Sequence, residues 1–177
     1  VLPKTEIDKT KTIGIDLGVS DFAILSDGTK ISSPTFLKKK LRKLKRIQRQ
    51  QRLKKRGSNN YNKHSDRIAR IHQRIRYQRQ NFLHQTSRKI VNQYDVVCVE
   101  SLKIRDLLKK KQMSRSIADQ GWSIFVNQLA YKTKMEGKHL TKIDTYLPST
   151  KACSSCGTTR NMKLSDRVYI CENTTCP

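Results

Sequence analysis

Residues 12–18, Thr-Ile-Gly-Ile-Asp-Leu-Gly, form a short β-branched run that ends in an acid and a glycine. An apolar segment at 22–25, the turn Ser-Asp-Gly at 26–28 and a further Lys-Ile pair follow, and this succession predicts a β-meander. A second run of the buried type, residues 95–100, also ends in an acid. With the helical segments described below, these strands predict an α/β fold.

Asp16 and Glu100 are the acids that close the two apolar strands. Either acid alone is more simply an exposed edge residue, because a carboxylate at a strand end costs little when it faces solvent. If the strands lie side by side, the two carboxylates repel each other unless a divalent cation lies between them. The pair therefore predicts a site for Mg²⁺ or Mn²⁺.

Basic residues are concentrated in one segment of the chain. The 177 residues contain 38 Lys and Arg against 14 Asp and Glu, a formal net charge of +24, and residues 38–89 hold 20 of these cations with a single acid. Apolar residues recur in this segment at helical spacing, and Gly57-Ser58-Asn59-Asn60 interrupts them. We predict an antiparallel pair of basic helices over 37–93, the basic hairpin.

The nearly uniform sign of the basic hairpin indicates a polyanionic partner. A merely solvated hairpin is the alternative, but a surface selected for solubility mixes charges of both signs. Nucleic acid is favoured over a membrane surface because neither helix has a broad apolar face. The predicted phosphate contacts are the arginines along both helices: Arg42, Arg46, Arg49, Arg52, Arg67, Arg70, Arg74, Arg76 and Arg79.

Four of the five cysteines lie in the last 25 residues, as two close pairs. Cys153 and Cys156 are separated by two residues, and Cys171 and Cys176 by four, which is typical of a zinc ribbon apart from the wider second spacer. Free buried thiols are the alternative. Cys98, within the second strand, is expected to be a small core residue.

Several classes of protein are excluded by composition and patterning. No apolar run approaches the roughly 20 residues that cross a bilayer, and residues 1–12 lack the apolar block of a signal peptide. We therefore expect a cytoplasmic protein with no membrane contact. The chain begins with Val and ends one residue after a cysteine, from which we expect a fragment of a longer protein.

The remaining segments predict one helix, one strand and one loop. Residues 114–135 carry apolar side chains on one helical face and predict a single helix that packs on the sheet. Residues 140–147 predict a strand that leads to the cysteines. The basic residues 103–111 predict a loop that contacts a phosphate backbone.

These motifs together resemble the RuvC-type nuclease half of TnpB (OrfB) proteins, transposon-encoded relatives of the type V CRISPR effector nucleases. The similarity rests on Gly-Ile-Asp-Leu-Gly-Val at 14–19, Ser-Asp-Gly at 26–28, the basic hairpin, Val-Cys-Val-Glu-Ser-Leu at 97–102, and the Pro-Ser-Thr-Lys-Ala-Cys-Ser-Ser-Cys-Gly segment at 148–157. It runs in order over nearly the whole chain.

The resemblance implies an RNase H-like (RuvC) core over 11–147, interrupted by the basic hairpin at 37–93, and a structural zinc ribbon over 148–177. Asp16 and Glu100 are then the first two catalytic acids of an RNA-guided DNA endonuclease that uses two divalent ions, with DNA and a guide RNA as partners. A third acid, in an Asp-Arg-Asp-like motif, follows the ribbon in this family. The chain ends before that motif, so we expect little cleavage from the chain alone.

Two other functions remain open at the level of sequence. A non-catalytic nucleic-acid-binding remnant would keep the basic hairpin and ribbon but lack the nuclease. An ATPase of the sugar-kinase or Hsp70 type is the other candidate, because Gly-Ile-Asp-Leu-Gly also opens that phosphate-binding core. No second glycine-rich phosphate loop accompanies it here, which disfavours the ATPase.

Overall fold

The computed structural model describes residues 7–109, 111–143, 151–153, 155–161, 169–173 and 176. The chain forms two compact units, Val1–Lys142 and Ile143–Pro177. The larger unit holds the sheet and the helices, and the smaller unit holds the four clustered cysteines.

Within the described residues, five strands form one mixed sheet with the order β3-β2-β1-β4-β5. Their bounds are β1 Thr12–Leu17, β2 Asp21–Leu25, β3 Lys30–Ser32, β4 Val96–Glu100 and β5 His139–Ile143. β1 pairs with β2 and β2 with β3 in antiparallel fashion, whereas β1 and β4 are parallel. The predicted meander and the predicted strand at 95–100 are confirmed. Of the strand predicted at 140–147, residues 144–147 lie outside the described residues.

Five helices accompany the sheet in the part of the chain that the structure describes. They are α1 Phe36–Arg52, α2 Asn59–Gln93, α3 Ile104–Lys109, α4 Ser114–Gln120 and α5 Trp122–Met135. The two basic helices of the sequence prediction are thus α1 and α2. They run antiparallel: the Gln51 side chain at the end of α1 donates to Ser65 Oγ near the start of α2 at 2.6 Å. Ser58 caps α2, its Oγ accepting from the Tyr61 N–H at 3.2 Å.

The core lies between one face of the sheet and helices α2, α4 and α5. Strand residues of alternate positions point into it, and Phe22 packs edge-to-face on Phe125 of α5 with ring centroids 5.0 Å apart. This combination of a half-covered sheet with packed helices confirms the α/β class. The buried apolar cluster comprises Ile13, Ile15, Leu17, Phe22, Ala23, Leu25, Leu83, Ile90, Val91, Val97, Val99, Ile117, Trp122, Phe125 and Leu129.

Two elements differ from the sequence predictions. Residues 103–111 were expected to be a loop, but Ile104 begins the short helix α3, because Ile104 and Leu107 pack against the core. The single helix expected over 114–135 is broken at Gly121, whose φ of 72° lies in the left-handed region. A Cβ at Gly121 would lie 3.1 Å from Arg79 Cδ and 3.3 Å from Leu83 Cδ1, so α2 packs directly on this break.

Candidate nucleic-acid and metal sites

Asp16 and Glu100 lie on one face of the sheet, at the ends of neighbouring parallel strands. Ile15 is paired with Val99 in the β1–β4 register, and the two acids directly follow this pair. Ile15 and Val99 are buried in the core, so the strict alternation of strand side chains places both acids on the opposite face. Adjacent strands are about 4.8 Å apart, so the two acids are neighbours on this face.

The same face carries three further side chains near the acids. Ile24 of β2 is in register with Asp16, and Lys30 of β3 is in register with Ile24. An apolar side chain and then a cation therefore lie beside Asp16 across the sheet. Cys98 is in register with Gly14 and half-buried on this face. Its prediction as a core residue is wrong, because the alternation of β4 gives the core positions to its neighbours, Val97 and Val99.

The arginines of the basic hairpin are exposed along both helices. Arg42, Arg46, Arg49, Arg52, Arg67, Arg70, Arg74 and Arg76 all face solvent. Across the described residues, none of these eight takes part in an ion pair. A groove of about 400 Å³ follows the seam between the helices, with Arg46 on one side and Arg67 and Arg70 on the other. The arrangement presents unneutralised positive charge along a linear track.

Arg79, the ninth predicted arginine, is engaged inside the protein. Its Nη2 lies 2.6 Å from Asp119 Oδ1, and the side chains of Arg79 and Asp119 are 22% and 9% exposed. The other carboxylate oxygen of Asp119 accepts from the Leu37 N–H at the start of α1 at 3.0 Å. Asp119 therefore links α4 to both helices of the basic hairpin. Sequence reasoning missed it, because its partners are 40 and 82 residues away.

The four clustered cysteines converge in the smaller unit. Their Sγ atoms all lie within 4.8 Å of one another, with 3.6 Å between Cys153 and Cys176 and 3.5 Å between Cys156 and Cys171. Four sulfurs at about 2.3 Å from a tetrahedral Zn²⁺ are about 3.8 Å apart, so the spacing suits zinc. The first turn is closed by the Gly157 N–H, which donates to the Cys153 carbonyl at 3.0 Å.

The surroundings of the cysteines shift their pKa values in opposite directions. Backbone N–H groups of Cys156 and Ser155 lower the pKa of Cys153, and hydrogen bonds from Thr158 lower the pKa of Cys156 to about 6. The neighbouring thiols of Cys156 and Cys153 raise the pKa of Cys176 to about 12. Because the thiolate is the metal ligand, thiols that are still protonated would release their protons when Zn²⁺ binds. This donor set fits a structural zinc.

No helix among the described residues has both the length and the apolar character that crossing a membrane requires.

Comparisons with known proteins cover both units. The family model OrfB_IS605, a probable transposase, matches residues 3–111, and the Cas12f1-like TNB domain matches residues 122–176. A "Putative RNA-guided DNA endonuclease" of Streptomyces pristinaespiralis is 36% identical over 164 residues, 92% of this chain and 41% of the relative. The "Putative RNA-guided DNA endonuclease InsQ" of Escherichia coli K12 is 31% identical, covering 90% of this chain and 44% of the relative.

The fold also matches solved structures. A cryo-EM structure of a CRISPR-Cas12f ternary complex aligns with a TM-score of 0.59 at 21% identity, over 89% of this chain and 33% of that one. A Cas12f1 complex with single-guide RNA and target DNA aligns with a TM-score of 0.55 at 17% identity, over 86% of this chain and 40% of that one. The chain spans about two fifths of the length of the relatives described above.

Proposed function

We propose that this chain, which belongs to the OrfB_IS605 family of probable transposases and is a TnpB-type protein, is the nuclease part of an RNA-guided DNA endonuclease. The observation that carries the proposal is the placement of Asp16 and Glu100 on one sheet face, on adjacent parallel strands. Two relatives more than 30% identical bear that activity in their names. DNA and a guide RNA are the proposed partners.

In this proposal the larger unit is an RNase H-like core over 11–147 into which the basic hairpin, 37–93, is inserted, and residues 148–177 form a zinc ribbon. Asp16 and Glu100 would hold Mg²⁺ or Mn²⁺ through their carboxylate oxygens, the ligand type that these ions prefer. When bound, such ions activate a water and stabilise the leaving oxygen of a phosphodiester. Neither carboxylate acts as the nucleophile. A third acid beyond the ribbon, as the family resemblance implies, would complete the ligand set.

The exposed arginines of the basic hairpin would hold the nucleic-acid backbone. Guanidinium groups suit bidentate contact with phosphate, and the eight exposed arginines named above, from Arg42 to Arg76, have no ion-pair partner among the described residues. Such contacts position a strand without selecting its sequence. Sequence selection is then left to base pairing between guide and target.

Replacing either sheet acid tests the catalytic part of the proposal. In a protein that joins this chain to the remaining segments of its longer relatives, Asp16→Ala and Glu100→Ala should abolish Mg²⁺-dependent cleavage of target DNA and leave the affinity for that DNA nearly unchanged. Asp66→Ala removes the exposed acid of α2 and serves as the matched control. Unchanged cleavage in both sheet variants would refute Asp16 and Glu100 as the catalytic acids. Absence of Mg²⁺-dependent cleavage in the unmodified protein would instead leave a non-catalytic nucleic-acid-binding protein, for which the exposed arginines suffice.

The salt dependence of affinity tests the binding part. Each lost phosphate contact lowers the slope of log affinity against log salt by about 0.7 for single strands and about 0.9 for duplex DNA. The triple variant Arg67→Gln, Arg70→Gln, Arg74→Gln should therefore lower the slope by about 2 to 3. Lys134→Gln, at an exposed position of α5, should change it little. An unchanged slope in the triple variant would place the binding surface elsewhere.

A further inference from the structure

A cavity of about 530 Å³ lies between the β1–β2 loop, the start of α1 and helix α4. The volume is within the range of small-molecule sites, about 300–1,000 Å³. Val19 of the β1–β2 loop and Leu37 and Leu41 of α1 form its apolar wall. Nothing in the proposed nuclease chemistry uses this space, yet it begins two residues beyond the end of β1, the strand that carries Asp16.

The acidic and amide groups of the cavity are already bound within the protein. Asp119 pairs with Arg79 and accepts from the Leu37 N–H. The Gln120 amide donates to Ser33 Oγ at 2.7 Å and to the Val19 carbonyl at 3.3 Å. The one carboxylate in the wall is thereby neutralised, and the walls around it are fixed before any ligand arrives.

Two cations remain available, one on each side of the cavity. Lys38 lies on α1 and Arg115 on α4, both exposed, and neither forms an ion pair within the described residues. With Asp119 neutralised by Arg79, the net charge of the lining is positive. Opposed cations above an apolar wall suit a ligand that joins an anionic group to a flat or apolar body.

The backbone at the rim is held in an uncommon conformation. Thr35, immediately before α1, has φ 46° and ψ 44°. A left-handed β-branched residue costs about 1–3 kcal/mol and persists only where the surrounding structure fixes it. Among the described residues it is the one non-glycine with positive φ, and it lines the cavity. Such residues are typical of ligand clamps.

We propose that this cavity binds one nucleotide, with the phosphate between Lys38 and Arg115 and the base or sugar against Val19, Leu37 and Leu41. The chemistry is the same for a nucleotide within a single strand and for a free mononucleotide. The site goes beyond the proposed nuclease, because it requires neither Asp16 nor Glu100. A strand held here would extend from the cavity toward the end of β1.

The test is a titration of the ¹⁵N-labelled chain followed by NMR, with the backbone amides of Ser116 and Gln120 as reporters. The probes are thymidine monophosphate, an eight-residue oligothymidylate and inorganic phosphate. Ser116→Phe fills the cavity without changing charge, and Ser123→Phe makes the same change on the exposed side of α5. Arg115→Gln removes one phosphate contact, and Lys134→Gln is its charge-matched control.

We expect saturable shifts of both reporters with thymidine monophosphate. Ser116→Phe, which fills the cavity, and Arg115→Gln, which removes a charge-assisted contact, should each weaken the binding of thymidine monophosphate about tenfold. The two control variants should bind as the wild type does. If both probes shift the reporters, the ligand is a nucleotide within a strand. If only the mononucleotide shifts them, the ligand is a free nucleotide.

Three results would overturn the proposal. The first is that neither nucleotide probe shifts the reporters. The second is that inorganic phosphate binds as tightly as thymidine monophosphate, and the third is that Ser123→Phe weakens binding as much as Ser116→Phe does. Unshifted amides elsewhere in each variant show that its fold is kept. Loss of DNA cleavage in Asp16→Ala with reporter shifts intact would separate this site from the nuclease proposal.

Discussion

Removal of the Asp119 carboxylate should destabilise the chain far more than the loss of an exposed ion pair of equal length. Asp119 and Arg79 approach to 2.6 Å with exposures of 9% and 22%, and Arg88 and Glu136 approach to the same 2.6 Å with both side chains 44% exposed. The two pairs differ in burial, not in distance. They therefore test whether burial sets the contribution of an ion pair here.

The expected magnitudes follow from what each substitution leaves behind. Breaking a fully buried pair costs about 3–5 kcal/mol, and partial exposure of Arg79 reduces this to about 2–3 kcal/mol. Loss of the cap on the Leu37 N–H adds about 1 kcal/mol. Asp119→Ala should thus lower the free energy of unfolding by about 3–4 kcal/mol, and Glu136→Ala by less than about 1 kcal/mol.

Urea unfolding followed by circular dichroism at 222 nm measures both values, since the helices dominate the signal. Asp119→Asn keeps an acceptor for the Leu37 N–H but removes the charge, so its loss should be intermediate. In the double variant Arg79→Met, Asp119→Ala, the buried charge is gone, and the loss should be about 2 kcal/mol smaller than the sum of the single variants. Equal losses for Asp119→Ala and Glu136→Ala, or strict additivity in the double variant, would refute the reasoning.

Three further changes are predicted. Gly121→Ala should lower the free energy of unfolding by about 2 kcal/mol, because the new Cβ would sit at a positive φ and lie 3.1 and 3.3 Å from side-chain atoms of α2. Gly57 also has a positive φ, 78°, but lies in open space, so Gly57→Ala should lower the free energy of unfolding by only about 1 kcal/mol in the same urea titration. Cys156→Ser should abolish the one zinc per chain that elemental analysis is expected to find, and leave the helical signal unchanged. The hydrogen bond from Lys138 holds the pKa of Asp95 below its ordinary value of 3.8. Asp95→Asn should therefore be less stable than the wild type above pH 4, and this difference in stability should vanish as the pH falls through the lowered pKa. A difference in thermal unfolding that does not depend on pH would contradict this.

The elements that the sequence predicted well are those whose signals are local. Helices α1 and α2 each bury apolar residues at helical spacing, and Gly57 and Ser58 lie between them in the residues 53–58 that connect them. β4 is apolar up to its last residue, and β1 alternates the buried Ile13, Ile15 and Leu17 with smaller or polar residues, so both sequences indicate strands with a buried face. The sequence predicted that these two strands could lie side by side. Their parallel pairing is compatible with the long connection between them, since a tight turn cannot join parallel strands.

The features that the sequence missed depend on contacts between distant segments. The helical face over 114–135 is continuous in sequence, and the break at Gly121 is set by Arg79 and Leu83 of α2, which pack against it. Helix α3 forms on a basic segment because two of its few apolar residues reach the core. Cys98 has the composition of a core residue, but only the register of β4 decides which face it occupies.

The placement of acids around α2 is consistent with a helix that packs on the core at one end and, as proposed, contacts a polyanion at the other. In its second half Arg79 and Arg88 are paired, and their acids come from α4 and from the residue after α5, where the helix packs on the core. In its first half Arg67, Arg70, Arg74 and Arg76 have no acid partner among the described residues. The ion pairs thus lie in the half that packs on the core. Burial explains the Arg79 pair, because an unpaired buried charge is costly, whereas the Arg88 pair stays half-exposed. The distal half keeps its charge in water, where a phosphate backbone can replace the counterions.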